Sequence, residues 1–158
     1  MDSIRIFGYK SFKELSVQLH PINLLIGANG AGKSNFLSLF EMLGNIYEKR
    51  LGAYVAQVGG VDKLLYQGRK VTDRIAVNLL IAKSEYDLAL LESDGKLIIE
   101  REVVGCYDDV CPLDLVRKNV ITEYQSESSL KDHKEEDLSN YISQIRKFHF
   151  HDTGRRSP

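Results

Sequence analysis

Eight consecutive residues, Gly27-Ala28-Asn29-Gly30-Ala31-Gly32-Lys33-Ser34, carry the strongest chemistry in this chain of 158 residues. They fit G-x-x-x-x-G-K-[ST], a spacing that cradles the phosphates of a nucleoside triphosphate. Gly27, Gly30 and Gly32 permit backbone turns that bulkier residues resist, so that successive N–H groups can close around phosphate oxygens. Lys33 brings a mobile ammonium to the β and γ phosphates, and the helix expected to start beside it adds the positive end of its dipole. The Ser34 hydroxyl is the expected Mg²⁺ ligand, so the expected cofactors are ATP and Mg²⁺. The competing reading is a glycine-rich turn capped by Ser34 with Lys33 merely solvated. The flanks favour phosphate binding, because the apolar run Ile22-Asn23-Leu24-Leu25-Ile26 reads as a buried strand and Phe36, Leu37, Leu39, Phe40 and Leu43 read as a helix.

Other reactive side chains read more modestly. Leu88-Ala89-Leu90-Leu91-Glu92 is the nearest thing to an apolar strand ending in a metal-holding acid, but it has one carboxylate, precedes a turn and reads as an edge strand. Asp108-Asp109 and Glu135-Glu136-Asp137 follow no apolar strand and read as solvated turn and helix face. Cys106 and Cys111 have no nearby histidines, so reduced thiols are expected rather than a metal site. His149 and His151 alternate with Phe148 and Phe150, yet a third ligand is missing. Gln67 and Gln125 are candidates to sense a γ-phosphate, with a surface role the simpler reading. Arg5, Lys10 and Lys13 have two readings, a place near the nucleotide base and phosphates or a solvated strand face, the second slightly favoured. Arg69-Lys70 and Arg155-Arg156 are too short as basic runs to argue nucleic-acid contact.

These residues need a scaffold, and the pattern supplies one. Alternation over Ser3–Gly8 and Phe12–Leu19 predicts two half-buried strands ahead of the loop strand. Residues 34–50 read as a helix stopped by Gly52, and residues 53–73 as a short helix and a loop. Three alternating strands follow over 74–83, 86–92 and 96–104, with Asp94-Gly95 as a hairpin turn. Residues 105–130 read as a polar, mobile segment, and Leu138, Tyr141, Ile142 and Ile145 predict an amphipathic helix within 130–147. With 43% hydrophobic residues and a net charge of −1, the chain can bury a core and carries no overall basic field, so nucleic-acid contact would require a local patch. The N-terminus lacks a signal peptide and no run nears the ~20 apolar residues of a membrane helix, so a cytoplasmic location without membrane contact is expected.

The order of elements resembles the first lobe of an ABC-type ATPase head. Gly8-Tyr9-Lys10-Ser11-Phe12-Lys13, followed by Ile26 through Asn35, is similar to the start of SMC-like and RecF-like ATPases. The likeness is greater to bacterial AAA family ATPases of the overcoming-lysogenization-defect-like group. Gly59-Gly60-Val61-Asp62-Lys63-Leu64-Leu65, Gly68-Arg69-Lys70, the Asp94-Gly95 hairpin and Phe148 through Thr153 follow in the same order. The resemblance implies an α/β P-loop NTPase fold, with an antiparallel β meander beside the P-loop strand and helix. It places residues 27–35 at the nucleotide, Asn35 included, and assigns residues 1–158 to the N-terminal lobe.

In such ATPases hydrolysis also needs a signature segment and an Asp-Glu strand, and neither occurs here. The expectation is therefore an N-terminal portion of a longer ATPase, by gene truncation, a split gene or an incomplete sequence. The expected partner is a second half or a homodimer mate, and DNA contact would come through the full-length protein. The implied setting is DNA transactions or phage defence. The alternative is a stand-alone nucleotide-binding regulatory or interaction module without turnover.

Overall fold

A computed structural model describes residues 2–82, 84–106, 117–132 and 136–144. Strand β1 (Ser3–Tyr9) and strand β2 (Phe12–Gln18) form an antiparallel hairpin. Four more strands follow the loop and helices: β3 (Arg74–Ile81), β4 (Ser84–Ser93), β5 (Lys96–Cys106) and β6 (Arg117–Gln125). Together they make one six-stranded sheet of order β2-β1-β3-β4-β5-β6, every described pair antiparallel. The molecule is thus a mixed α/β fold.

Strict alternation decides which face of the sheet is buried. Ile4 and Ile6 of β1, Ile75, Val77, Leu79 and Ile81 of β3, and Tyr86, Leu88 and Leu90 of β4 all belong to the buried cluster. Helix α1 (Lys33–Tyr47) contributes Phe36, Leu39, Met42, Leu43 and Ile46 at intervals of three and four, the stripe a helix needs to lie on such a face. Helix α2 (Leu51–Gln57) adds Leu51, Tyr54 and Val55, and helix α3 (Glu136–Ser143) adds Leu138 and Ile142. The β4–β5 hairpin turns at Asp94 and Gly95, with φ of 50° and 78°, as the right-handed twist of two-residue hairpins requires.

Four expectations need correction. The segment Ile22–Ile26 forms no strand, and its backbone groups bond to no other backbone among the described residues. Sequence pattern marked it as buried, yet Ile22, Leu24 and Ile26 are 90%, 80% and 83% exposed. A strand needs a neighbour to complete its ladder, and the described sheet places β2 and β1 elsewhere. Gly52 does not stop a helix; α1 ends at Tyr47, Lys49 turns the chain at φ 57°, and Gly52 lies inside α2. Within 105–130, residues 117–125 are strand β6, paired antiparallel with β5. The Leu88–Glu92 strand lies between β3 and β5 and is not an edge. Helix α3 lies within 130–147 as expected, after a short 3-10 turn at Leu130–Asp132.

One irregularity shapes the core. Leu90 pairs with Ile99 but Ala89 pairs with Arg101, so β5 carries an extra residue there. The bulge shifts the alternation by one and turns Glu102 inward beside Leu88.

Candidate functional site

The Gly27–Ser34 loop projects from the scaffold, with residues 27–31 exposed. Gly30 and Gly32 adopt φ of 83° and 92°, in the left-handed region where a side chain is strained. Gly32 is held for a second reason: a Cβ there would lie 3.0 Å from Ser11 Oγ and 3.1 Å from the Phe12 ring. The loop therefore packs against the β1–β2 turn. Gly30 faces open space, with nothing within 4 Å of where a Cβ would stand. Gly27 departs from the expected turn role, since its φ of 159° is almost extended; a Cβ would meet Ala31 Cβ at 3.3 Å.

Helix α1 starts directly from this loop, with Gly32 as a cap that offers no side chain. Its first N–H groups keep the free donors that any helix start has, all on the loop side. The Ser34 hydroxyl is exposed and makes no hydrogen bond among the described residues. The Lys33 Nζ reaches back over the loop and donates to the carbonyls of Gly27 at 2.6 Å and Ala28 at 2.7 Å. Asn35 Nδ2 donates to Ser11 Oγ at 3.0 Å, joining the first turn of α1 to the β1–β2 turn.

Beneath that contact lies a hub that the sequence signals only faintly. The buried Ser38 Oγ donates to the Asn35 carbonyl at 2.8 Å. It also meets Lys10 Nζ at 2.8 Å and the Tyr9 hydroxyl at 2.9 Å. Tyr54 from α2 donates to the Ser38 carbonyl at 3.2 Å. Burial pushes the Tyr9 hydroxyl well above the ordinary tyrosine range, so it stays protonated and able to donate. Lys10 had read as a solvated strand-face cation; its left-handed φ of 47° instead turns it onto α1. The only sequence signal for the hub was a small polar residue on the buried face of a helix.

The remaining candidates scatter. Glu92, the single acid of the Leu88–Glu92 strand, accepts the Gly95 N–H at 2.8 Å and is occupied with closing the hairpin. Gln67 lines a groove with Asn35 and Ser11, whereas Gln125 sits on β6 opposite Ile99. Arg5 and Lys13 are exposed on β1 and β2. Cys111, Asp108, Asp109, Glu135, His149, His151, Arg155 and Arg156 lie outside the described residues, as do the side chains of Cys106, Glu136 and Asp137. Among the described residues no group of three or more His, Cys, Asp or Glu gathers to hold a metal, and no helix is long and apolar enough to cross a membrane.

An open glycine-built loop thus feeds the start of a helix on an α/β scaffold. The chain belongs to the AAA ATPase domain family, which it matches over residues 1–152. A comparison with curated proteins finds no match.

Proposed function

We propose that the chain binds ATP with Mg²⁺ through Gly27, Ala28, Asn29, Gly30, Ala31, Gly32, Lys33, Ser34 and Asn35. The observation that carries this reading is the combination of free donors at one open place. The α1 N-terminus is uncapped by any side chain, Gly30 fronts empty space and the Ser34 hydroxyl has no partner among the described residues. Those features fit a phosphate chain and a metal ion: backbone N–H groups and the Lys33 ammonium would take the phosphate oxygens, and Ser34 Oγ would ligate Mg²⁺. Asn35 holds the first helical turn to Ser11 and so orients the donors. When bound, the nucleotide supplies the γ-phosphoryl group, and Mg²⁺ offsets charge on the β and γ oxygens.

We further read residues 1–158 as the N-terminal lobe of an ABC-type head of SMC/RecF-like kind, in the overcoming-lysogenization-defect-like group. Turnover would then need a second half or a homodimer partner, and DNA transactions or phage defence are the settings that reading implies. Its support is the unladdered Ile22–Ile26 segment, which leads straight into the loop and whose apolar side chains and backbone bonds await a neighbouring strand. The occupied Glu92 points the same way, since it leaves no acid at the end of that strand free for water activation.

Calorimetric titration with Mg²⁺-ATP and Mg²⁺-GTP tests the binding claim. Wild type should bind ATP, and Lys33→Ala should weaken it at least about tenfold, the worth of one charge-assisted contact. Undiminished binding by the variant would refute the assignment of the loop.

A further inference from the structure

Lys10 occupies a backbone conformation that favours glycine. Its φ is 47°, in the turn between β1 and β2, where a side chain is strained. Neighbouring backbone fixes it there: the Lys10 N–H donates to the Leu64 carbonyl at 2.7 Å, and Tyr66 N–H donates to the Gly8 carbonyl at 2.9 Å. Leu64 and Leu65 are buried as anchors. A strained residue persists where its surroundings over-determine it, and it marks a place to look for a use of the side chain.

The contacts of Lys10 supply that use. Its Nζ donates to the buried Ser38 Oγ at 2.8 Å. An ammonium only donates, so Ser38 must turn a lone pair towards it. The Tyr9 hydroxyl, kept protonated by burial, lies 2.9 Å from the same oxygen and takes its other lone pair. The Ser38 hydrogen is left one direction, the Asn35 carbonyl at 2.8 Å. A cation that donates to a hydroxyl also polarises it and strengthens the bond that the hydroxyl makes in turn. Asn35 belongs to the first turn of α1, whose opening backbone bond runs from the Phe36 N–H to the Gly32 carbonyl at 2.9 Å. Its side chain is tied to Ser11 as well, so residues 10 and 11 hold this turn by the carbonyl and the amide of one asparagine.

We propose that Lys10 is a positioning residue for the nucleotide loop: acting through Ser38, it fixes the first turn of α1 without touching the nucleotide. The inference rests on the reading of residues 27–35 as the ATP site. Donors already held in place lose little freedom when a ligand arrives, so a pinned first turn raises affinity by preorganisation. Lys33 and Lys10 thereby divide the work. Lys33 reaches over the exposed loop, whereas the Lys10 ammonium is engaged with Ser38 on the buried face of α1. The effect of Lys10 should therefore be visible in the helix turn before any nucleotide is added. A lysine that instead met the nucleotide directly would leave the nucleotide-free turn unaltered.

Two variants of the full chain separate side chain from backbone. Lys10→Gly relieves the strain and keeps the bond to Leu64, while Lys10→Met keeps the stem and the strain and removes only the donor. Amide hydrogen exchange of the nucleotide-free chain, followed by NMR, and calorimetric titration with Mg²⁺-ATP test both. In each variant the Phe36 N–H should exchange about fivefold faster, with the amides of β3 and β4 at wild-type rates. ATP affinity should fall about fivefold, the worth of one hydrogen bond. Lys10→Gly should nevertheless melt within about 3 °C of wild type, since relieved strain offsets the greater freedom of glycine in the unfolded chain. Weakened ATP binding with unchanged Phe36 exchange would overturn the proposal in favour of direct contact. Wild-type affinity in Lys10→Met would overturn it too, as would faster exchange throughout β3 and β4, the mark of a merely structural role. A wild type that binds no ATP refutes the underlying reading, an outcome told apart because Phe36 exchange then responds to Lys10 with no affinity to lose.

Discussion

The Lys33 ammonium lies 2.6 Å from the carbonyl oxygen of Gly27, having crossed the loop that begins at that glycine. A second bond to Ala28 holds it there, so the cation is poised over the loop mouth. Two carbonyls so close together suit a compact ammonium and not a planar guanidinium. Lys33→Arg should therefore keep the charge yet lose at least about tenfold in ATP affinity, measured by calorimetry. Because the side chain reaches an exposed loop, the melting temperature should move by no more than about 2 °C.

Glu102 supplies a second prediction. It is fully buried and accepts hydrogen bonds from Tyr86 Oη at 2.6 Å, Thr122 Oγ1 at 2.7 Å, Ser128 Oγ at 2.6 Å and Ser129 N–H at 3.1 Å. One carboxylate thus ties β4, β6 and the 128–130 segment together. Glu102→Gln replaces an acceptor oxygen with an NH₂ that faces those donors, and should cost about 2 kcal/mol in urea denaturation. A change below about 0.5 kcal/mol would contradict the network.

Much of the scaffold was legible in the sequence because its signals are local. Alternation found β1 to β5, and Asp94-Gly95 announced its own turn. Glu102 was not legible, because its inward position depends on a bulge opposite Ala89 and Leu90, which only strand pairing creates. Strand β6 was hidden for a related reason: its residues are largely polar, and pairing with β5 defines it. At the site, the glycine spacing announced the loop, whereas the Ser38 hub joins residues far apart in the chain. The Ile22–Ile26 run misled in the opposite direction, since an apolar composition says that a segment wants burial and not that a neighbour is in place.

Buried tyrosines make stability fall in alkali. Burial raises the hydroxyls of Tyr9, Tyr54 and Tyr86 above the usual value of 10.0. For Tyr86 the Glu102 carboxylate adds to the effect. The folded state holds protons that the unfolded chain releases, so the stabilisation is complete below about pH 10 and is lost as pH climbs beyond it. Absorbance titration at 295 nm, a standard tyrosinate wavelength, should show three of the eight tyrosines ionising only as the fold opens. Tyr86→Phe should reduce the steepness of that alkaline loss. Eight tyrosines titrating together near pH 10 in a folded sample would contradict the burial.

The exposed strip gives the last prediction. Leu25, less exposed than its neighbours, lines a cleft of about 740 Å³ with Phe36, Phe40 and Tyr141, while Ile22, Leu24 and Ile26 are almost fully exposed. Side chains already in water lose little when made polar, so Ile22→Lys with Leu24→Lys should shift the melting temperature by no more than about 2 °C. The same strip pairs with no strand among the described residues and leads into the glycine loop, the kind of edge that recruits another strand. The double variant should therefore show less self-association in sedimentation and less binding of a hydrophobic dye. A drop of more than about 5 °C in melting temperature would mean that the strip is buried in solution by the chain itself. An unchanged sedimentation profile, in a wild type that does associate, would place the contact elsewhere and remove the support for a partner strand at Ile22–Ile26.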